Sequence, residues 1–196
     1  MIKKFLLLIW LLLMITGCNT KKEEDVVQLV GKHNVEILVK DVGIIKLELD
    51  ADVAPITVTN FINLVNAKFY DGLTFHRIID GFMIQGGDPD ADGTGGSSEK
   101  IKGEFALNGI ENSISHVRGV ISMARRGDSN DSASSQFFIV HEDSTFLDGR
   151  YASFGHVTSG MDVVDEIVKN AIVEDNNGTV NYQNQPIIEY IKVTDN

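Results

Sequence analysis

The carboxylates of Asp88, Asp90, Asp92 and Glu99, with Gly93 among them, reproduce the spacing of a calcium loop, where oxygen donors alternate and a glycine makes the sharp turn. The setting does not suit calcium. A strand-like run precedes the loop, no helical pattern follows it, and Gly95 stands where an apolar residue normally packs, so no metal is expected. Gly93-Thr94-Gly95-Gly96 is no phosphate loop, because it lacks the following Lys-Ser/Thr and the strand-to-helix setting. His141-Glu142 opens like a zinc helix, but Thr145 stands where the second histidine must be. No Gly-x-Ser-x-Gly elbow offers an activated serine.

The one cysteine has a different chemistry. Residues 5–15 are almost unbroken apolar sequence behind Lys3 and Lys4, too short to span a bilayer comfortably, and they lead into Ile15-Thr16-Gly17-Cys18. That ending resembles the bacterial lipobox, where a signal peptidase cuts before a diacylated cysteine. The expected organisation is a signal peptide over 1–17, a lipidated N-terminus and tether over 18–33, and a globular domain over 34–196. The expected location is extracytoplasmic, lipid-anchored at Cys18 to a bacterial cell membrane.

A chain of 196 residues with 43% hydrophobic and 23% charged residues supports one folded domain. Its formal net charge of −11 excludes nucleic acid as a partner, since no basic cluster offsets the repulsion of phosphates.

The domain opens with β-like segments at 35–39 and 44–49, read as a hairpin turning at Asp41-Val42-Gly43. Pro55 suits a first helical turn, and Val58, Phe61, Ile62 and Val65 share one helical face. Short apolar runs recur at 75–79, 82–85, 120–124, 137–140 and 152–157. Met161, Val164, Ile167 and Val168 mark a second helix, and 187–193 a closing strand. Many short strands without a βαβ rhythm leave an antiparallel barrel or a sandwich open.

Three segments are similar to the cyclophilin family, in order and spacing. They are the fourteen residues from Phe75-His76-Arg77 to Gly86-Gly87-Asp88; residues 119–124 with Ser135-Gln136-Phe137-Phe138-Ile139; and Phe146-Leu147-Asp148-Gly149. The resemblance implies a mostly β fold, a closed eight-stranded antiparallel barrel flanked by two α-helices. It also implies a peptidyl-prolyl cis/trans isomerase acting on proline-containing polypeptides, here secreted or surface proteins. The chain is expected to work as a monomer without a cofactor.

Twisting an Xaa-Pro amide breaks no bond. The barrier of ~20 kcal/mol is amide resonance, so catalysis needs a site that favours the deconjugated amide, with no covalent intermediate. A fixed cationic donor can stabilise the twisted amide while an apolar pocket grips the ring; lowering the barrier by ~7 kcal/mol gives about 10⁵ in rate. By the resemblance Arg77 is the catalytic donor. Phe82, Met83, Phe138 and Leu147 form the pocket, and Gln85 and Gln136 orient the substrate backbone. Ala124, Arg125, Phe146 and Tyr151 complete the substrate groove. His76 is read as structural, since the reaction moves no proton. Phe146 stands where many eukaryotic members carry tryptophan, Tyr151 where histidine is common, and Arg125-Arg126 where small or amide residues are common. Cyclosporin-like ligands are therefore expected to bind more weakly. The main rival is a binding module that keeps the groove without turnover; a holdase lacks the exposed apolar run it would need.

Overall fold

The computed structural model describes residues 27–195. The expected signal peptide, Cys18 and most of the tether lie outside the described residues.

Strands β1 (Lys32–Val39) and β2 (Gly43–Asp50) form the expected hairpin, in register from Lys32 opposite Asp50 to Val39 opposite Gly43. β1 thus starts inside the segment read as tether. Side chains alternate across the sheet, so Val35, Ile37 and Val39 meet Ile45, Leu47 and Leu49 in the core.

Helix α1 (Pro55–Asn66) follows and buries Val58, Phe61, Ile62 and Val65. Its N-cap is Ala54, which offers no side-chain acceptor. The buried Glu104 supplies one from a distance, accepting from Ile56 N at 3.0 Å, Thr57 N at 2.8 Å and the Thr57 hydroxyl at 2.7 Å. A carboxylate there satisfies orphan amides and meets the positive end of the helix dipole.

The remaining elements are β3 (Thr74–Ile79), β4 (Met83–Asp88), β5 (Val120–Met123), β6 (Phe137–Val140), β7 (Ser153–Ser159), α2 (Met161–Asn170) and β8 (Ile188–Val193). The eight strands form one antiparallel sheet in the order β3-β4-β6-β5-β7-β2-β1-β8. Barrel closure is less complete than expected. Edges β3 and β8 meet through the Thr74–Ile187 bridge and a few hydrogen bonds, such as Ile188 N to Leu73 O at 2.7 Å, without a ladder. The sheet is a curled half-barrel whose edges touch.

Inside the curl, Phe61, Tyr70, Phe75, Phe137 and Phe154 pack with ring centroids 5.1–6.1 Å apart. Tyr70 keeps its buried hydroxyl satisfied by donating to Ser135 O at 3.0 Å. Alternate residues of β4, β5 and β6 face outward. There Met83, Val120, Phe138 and Val140 join Leu147 in a second, smaller apolar cluster.

Candidate active site

A one-residue irregularity positions the cation of this outer cluster. Strand alternation starting from the buried Phe75 would turn Arg77 into the core. The register instead runs from Phe75 opposite Gly86 to Arg77 opposite Gln85, leaving His76 as the extra residue of a bulge. Arg77 therefore lies beside Gln85 on the outer face, and Ile78 returns to the core. The same cross-strand row continues from Gln85 to Phe138 and from Phe138 to Ser122.

Hydrogen bonds then fix the guanidinium. Arg77 Nε donates to Asn177 O at 2.7 Å, and Nη1 donates to Gln85 Oε1 at 3.2 Å. Gln85 Nε2 donates to Gln136 Oε1 at 2.8 Å, and Gln136 Nε2 donates to Gly95 O at 2.8 Å and Gly93 O at 3.1 Å. Each amide is oriented by its neighbour. Nη2 of Arg77 makes no hydrogen bond among the described residues, so its two donors remain available. Burial lowers the guanidinium pKa, opposed by Tyr151 and Asp175; an arginine in this setting stays charged at neutral pH.

Beside Arg77 opens a cavity of about 310 Å³. Arg77, Phe82, Met83, Gln85, Ala124, Arg125, Phe138, Phe146, Leu147 and Tyr151 line it, which is every expected groove residue except Gln136. Met83, Phe138 and Leu147 form a buried floor. Phe146 is 67% exposed and leans on the Phe82 ring with centroids 5.6 Å apart, and Tyr151 meets Phe138 edge-on at 5.9 Å. The guanidinium of Arg125 lies 4.9 Å from the Tyr151 ring centroid. Gln136 lines an adjoining cavity of about 400 Å³ that shares Gln85, Ala124 and Arg125 with the first.

Several groups supporting the site were not singled out from sequence. The carbonyl of Asn177 is one. Its only prior signal is the turn-forming Asn177-Gly178 pair, which says nothing of what the carbonyl meets. A second is buried beneath Phe138, where His116 stacks at 6.0 Å, with Nδ1 2.8 Å from Asp148 Oδ1 and Nε2 3.0 Å from Ser122 Oγ. These distances match a nucleophilic triad, but Ser122 is 0% exposed and meets no substrate. Burial lowers the His116 pKa, against the opposing pull of Asp148. Burial pushes the Asp148 carboxyl up, but hydrogen bonds from Ser115 and His116 outweigh this and hold it low.

The Asp88 carboxylate of the calcium-like loop is occupied by its own backbone, accepting from Asp90 N at 2.9 Å and Gly93 N at 2.6 Å. A Cβ on Gly95 would lie 2.2 Å from Asp88 Oδ1, so the loop wraps its acidic side chains closely. His76 is buried below Gly93 with neither ring nitrogen partnered among the described residues, and burial lowers its pKa.

The outside of the curled antiparallel sheet thus carries an apolar cavity with an oriented cation at its rim. Residues 34–193 match the family model described as cyclophilin type peptidyl-prolyl cis-trans isomerase. The chain belongs to this family and is a peptidyl-prolyl cis-trans isomerase. It is 48% identical over 125 residues to peptidyl-prolyl cis-trans isomerase B of Bacillus subtilis, covering 64% of this chain and 83% of that protein. It is 43% identical over 155 residues to peptidyl-prolyl cis-trans isomerase A of Dickeya dadantii, covering 76% and 77% of the two chains. A cyclophilin type isomerase of Cryptosporidium parvum superposes with a TM-score of 0.74 at 29% identity, covering 85% of this chain and 99% of that one. The same protein, crystallised in the presence of the dipeptide Ala-Pro, gives a TM-score of 0.72 at 29% identity, covering 83% and 99%.

Proposed function

We propose that the isomerase acts without a covalent intermediate, with the proline ring in the Phe138-floored cavity and Arg77 hydrogen-bonded to the twisting prolyl amide. The observation that carries this is the fixed guanidinium, held by Asn177 O and Gln85 Oε1 with Nη2 left unengaged at the rim of that cavity. As the C–N bond rotates, resonance is lost and the nitrogen gains lone-pair character, so a donor aimed there binds the twisted amide better than either planar form. The donor is already oriented and needs no reorganisation during the step. An apolar floor excludes water, and Gln85 Nε2, which gives one hydrogen to Gln136, keeps its second for the backbone of the bound peptide. The Ala-Pro dipeptide present with the Cryptosporidium relative supports a prolyl ligand for this cavity.

The lipobox-like ending at Cys18 and the apolar run before it support an enzyme tethered outside the cytoplasm, with secreted or surface proteins as clients. Phe146 in place of an indole supports weak binding of cyclosporin-like ligands.

The test of the catalytic role is a protease-coupled isomerisation assay on an Ala-Pro peptide, beside a melting curve. Arg77→Ala should lower kcat/KM at least about tenfold, equivalent to ~1.4 kcal/mol, with the loss mainly in kcat. Arg77→Lys should be nearly as damaging, because the ammonium lacks the planar fork that reaches Asn177 O and Gln85 Oε1 together. A folded Arg77→Ala protein with near-normal rates would overturn the mechanism.

A further inference from the structure

The two connected cavities carry a charge pattern opposite to that of the whole chain. Four cations, Arg77, Arg125, Arg126 and Lys100, line them, and no carboxylate side chain does. The chain as a whole has a formal charge of −11. Arg126 is neutralised locally by a paired contact to Asp128, at 3.0 Å from Nε and 2.5 Å from Nη2. Arg125 and Lys100 are not. The guanidinium of Arg125 donates to the carbonyls of Arg150 and Arg126 at 2.9 Å and lies over the rings of Tyr151 and Phe105, none of which cancels its charge. Lys100 forms no ion pair among the described residues.

The geometry points to a preference for peptides carrying an acidic side chain close to the proline, held by Arg125 and Lys100 in the cavity next to the proline pocket. This rests on the proposed placement of proline in the Phe138-floored cavity. Gln85, Ala124 and Arg125 belong to both cavities, so one extended peptide can enter the two together. At ~3.3 Å per residue, a side chain within about three residues of the proline reaches the second cavity. A carboxylate there gains from two cations that form no ion pair among the described residues, in a partly enclosed site, while an ammonium is repelled. Arg125 Nη2 makes no hydrogen bond among the described residues and can donate to that carboxylate, as can the Lys100 ammonium.

The experiment uses the full chain and a set of prolyl peptides. Each carries Glu, Gln or Lys at one of the three positions before or after the proline. At one flank, kcat/KM should be about fivefold higher for Glu than for Gln and lower again for Lys at low salt, with the differences shrinking as salt screens them. The double substitution Lys100→Glu with Arg125→Glu reverses the two cations that hold the carboxylate. It should invert the Glu-to-Lys ratio, read within each protein so that a general loss of rate cancels; a melting curve checks folding. Glu, Gln and Lys peptides agreeing within about twofold at low salt, a preference for Lys, or a Glu preference that the double substitution leaves unchanged would each overturn the inference. Turnover without charge dependence removes this inference alone. Failure to turn over any prolyl peptide removes the reading of the proline cavity and this inference with it.

Discussion

Asp175 touches neither cavity, yet its replacement should slow the enzyme through Arg77. Its carboxylate accepts from Asn177 N at 2.9 Å, Thr179 N at 3.1 Å and the Thr179 hydroxyl at 3.0 Å, closing the 175–179 loop on itself. These bonds, led by those from Thr179, hold the Asp175 carboxyl below the usual carboxylate range. The loop docks on β3 through Ile78 N to Gly178 O at 2.8 Å and Val180 N to His76 O at 3.0 Å, and so delivers Asn177 O to Arg77 Nε at 2.7 Å. A hydrogen bond to a charged group contributes ~1.5–3 kcal/mol, so full loss of the Asn177 contact would cost about tenfold or more. The docked loop ends and Gln85 persist in Asp175→Ala, so the expected loss in kcat/KM is smaller, about fivefold, with KM little changed. Asp175→Asn keeps one acceptor and should fall between. Gly178→Ala attacks the same loop differently: φ is +78° there, and the added Cβ would lie 2.2 Å from Ile78 O. The assay is the coupled isomerisation of an Ala-Pro peptide, run in the wild-type and Arg77→Ala backgrounds. Loss through Arg77 must vanish once Arg77 is alanine, because the two substitutions then act on one contact. An equal loss in both backgrounds, or a folded Asp175→Ala protein at full rate, would refute the reasoning.

Three further outcomes are expected. Stability should fall on acidification, because burial lowers the pKa of both His76 and His116 from the ordinary 6.5 and the unfolded chain then binds more protons. The folded state is therefore fully favoured above about pH 6.5 and loses stability as pH falls through the lowered values; a melting temperature flat between pH 7 and 5 would contradict this. Phe146→Trp should tighten a cyclosporin-like inhibitor while leaving peptide turnover near wild type, since the side chain is mostly exposed at the rim and Trp adds an N–H donor; an unchanged inhibition constant would count against it. Cys18→Ser should abolish labelling by a fatty-acid analogue and release the protein from membranes, and equal labelling of both forms would exclude lipidation at this site.

The parts of this fold legible from sequence are those whose cause is a side-chain pattern. The β-like runs 35–39 and 44–49 with the Asp41-Val42-Gly43 turn between them placed the first hairpin, and helical spacing of Val58, Phe61, Ile62 and Val65 placed α1. Of the side chains the resemblance assigns to the groove, all but Gln136 line one cavity. What escaped depends on backbone groups far apart in the chain. Glu104 caps α1 from 48 residues away, and Asn177 O meets Arg77 across 100 residues; a carbonyl carries no residue type to read. Closure of the barrel fails in the same way, since it depends on how many amides of β3 meet carbonyls near β8, and the apolar pattern of either strand is the same whether the seam is one bridge or a full ladder. The bulge at His76 joins the two cases. Alternation from Phe75 assigns Arg77 to the core, where an unpaired guanidinium would be costly, and one inserted residue moves that charge to the outer face. The polar residue that breaks the period of an otherwise apolar strand is therefore the sign of the bulge, and the same displacement that relieves the core puts the cation at the rim of the Phe138-floored cavity.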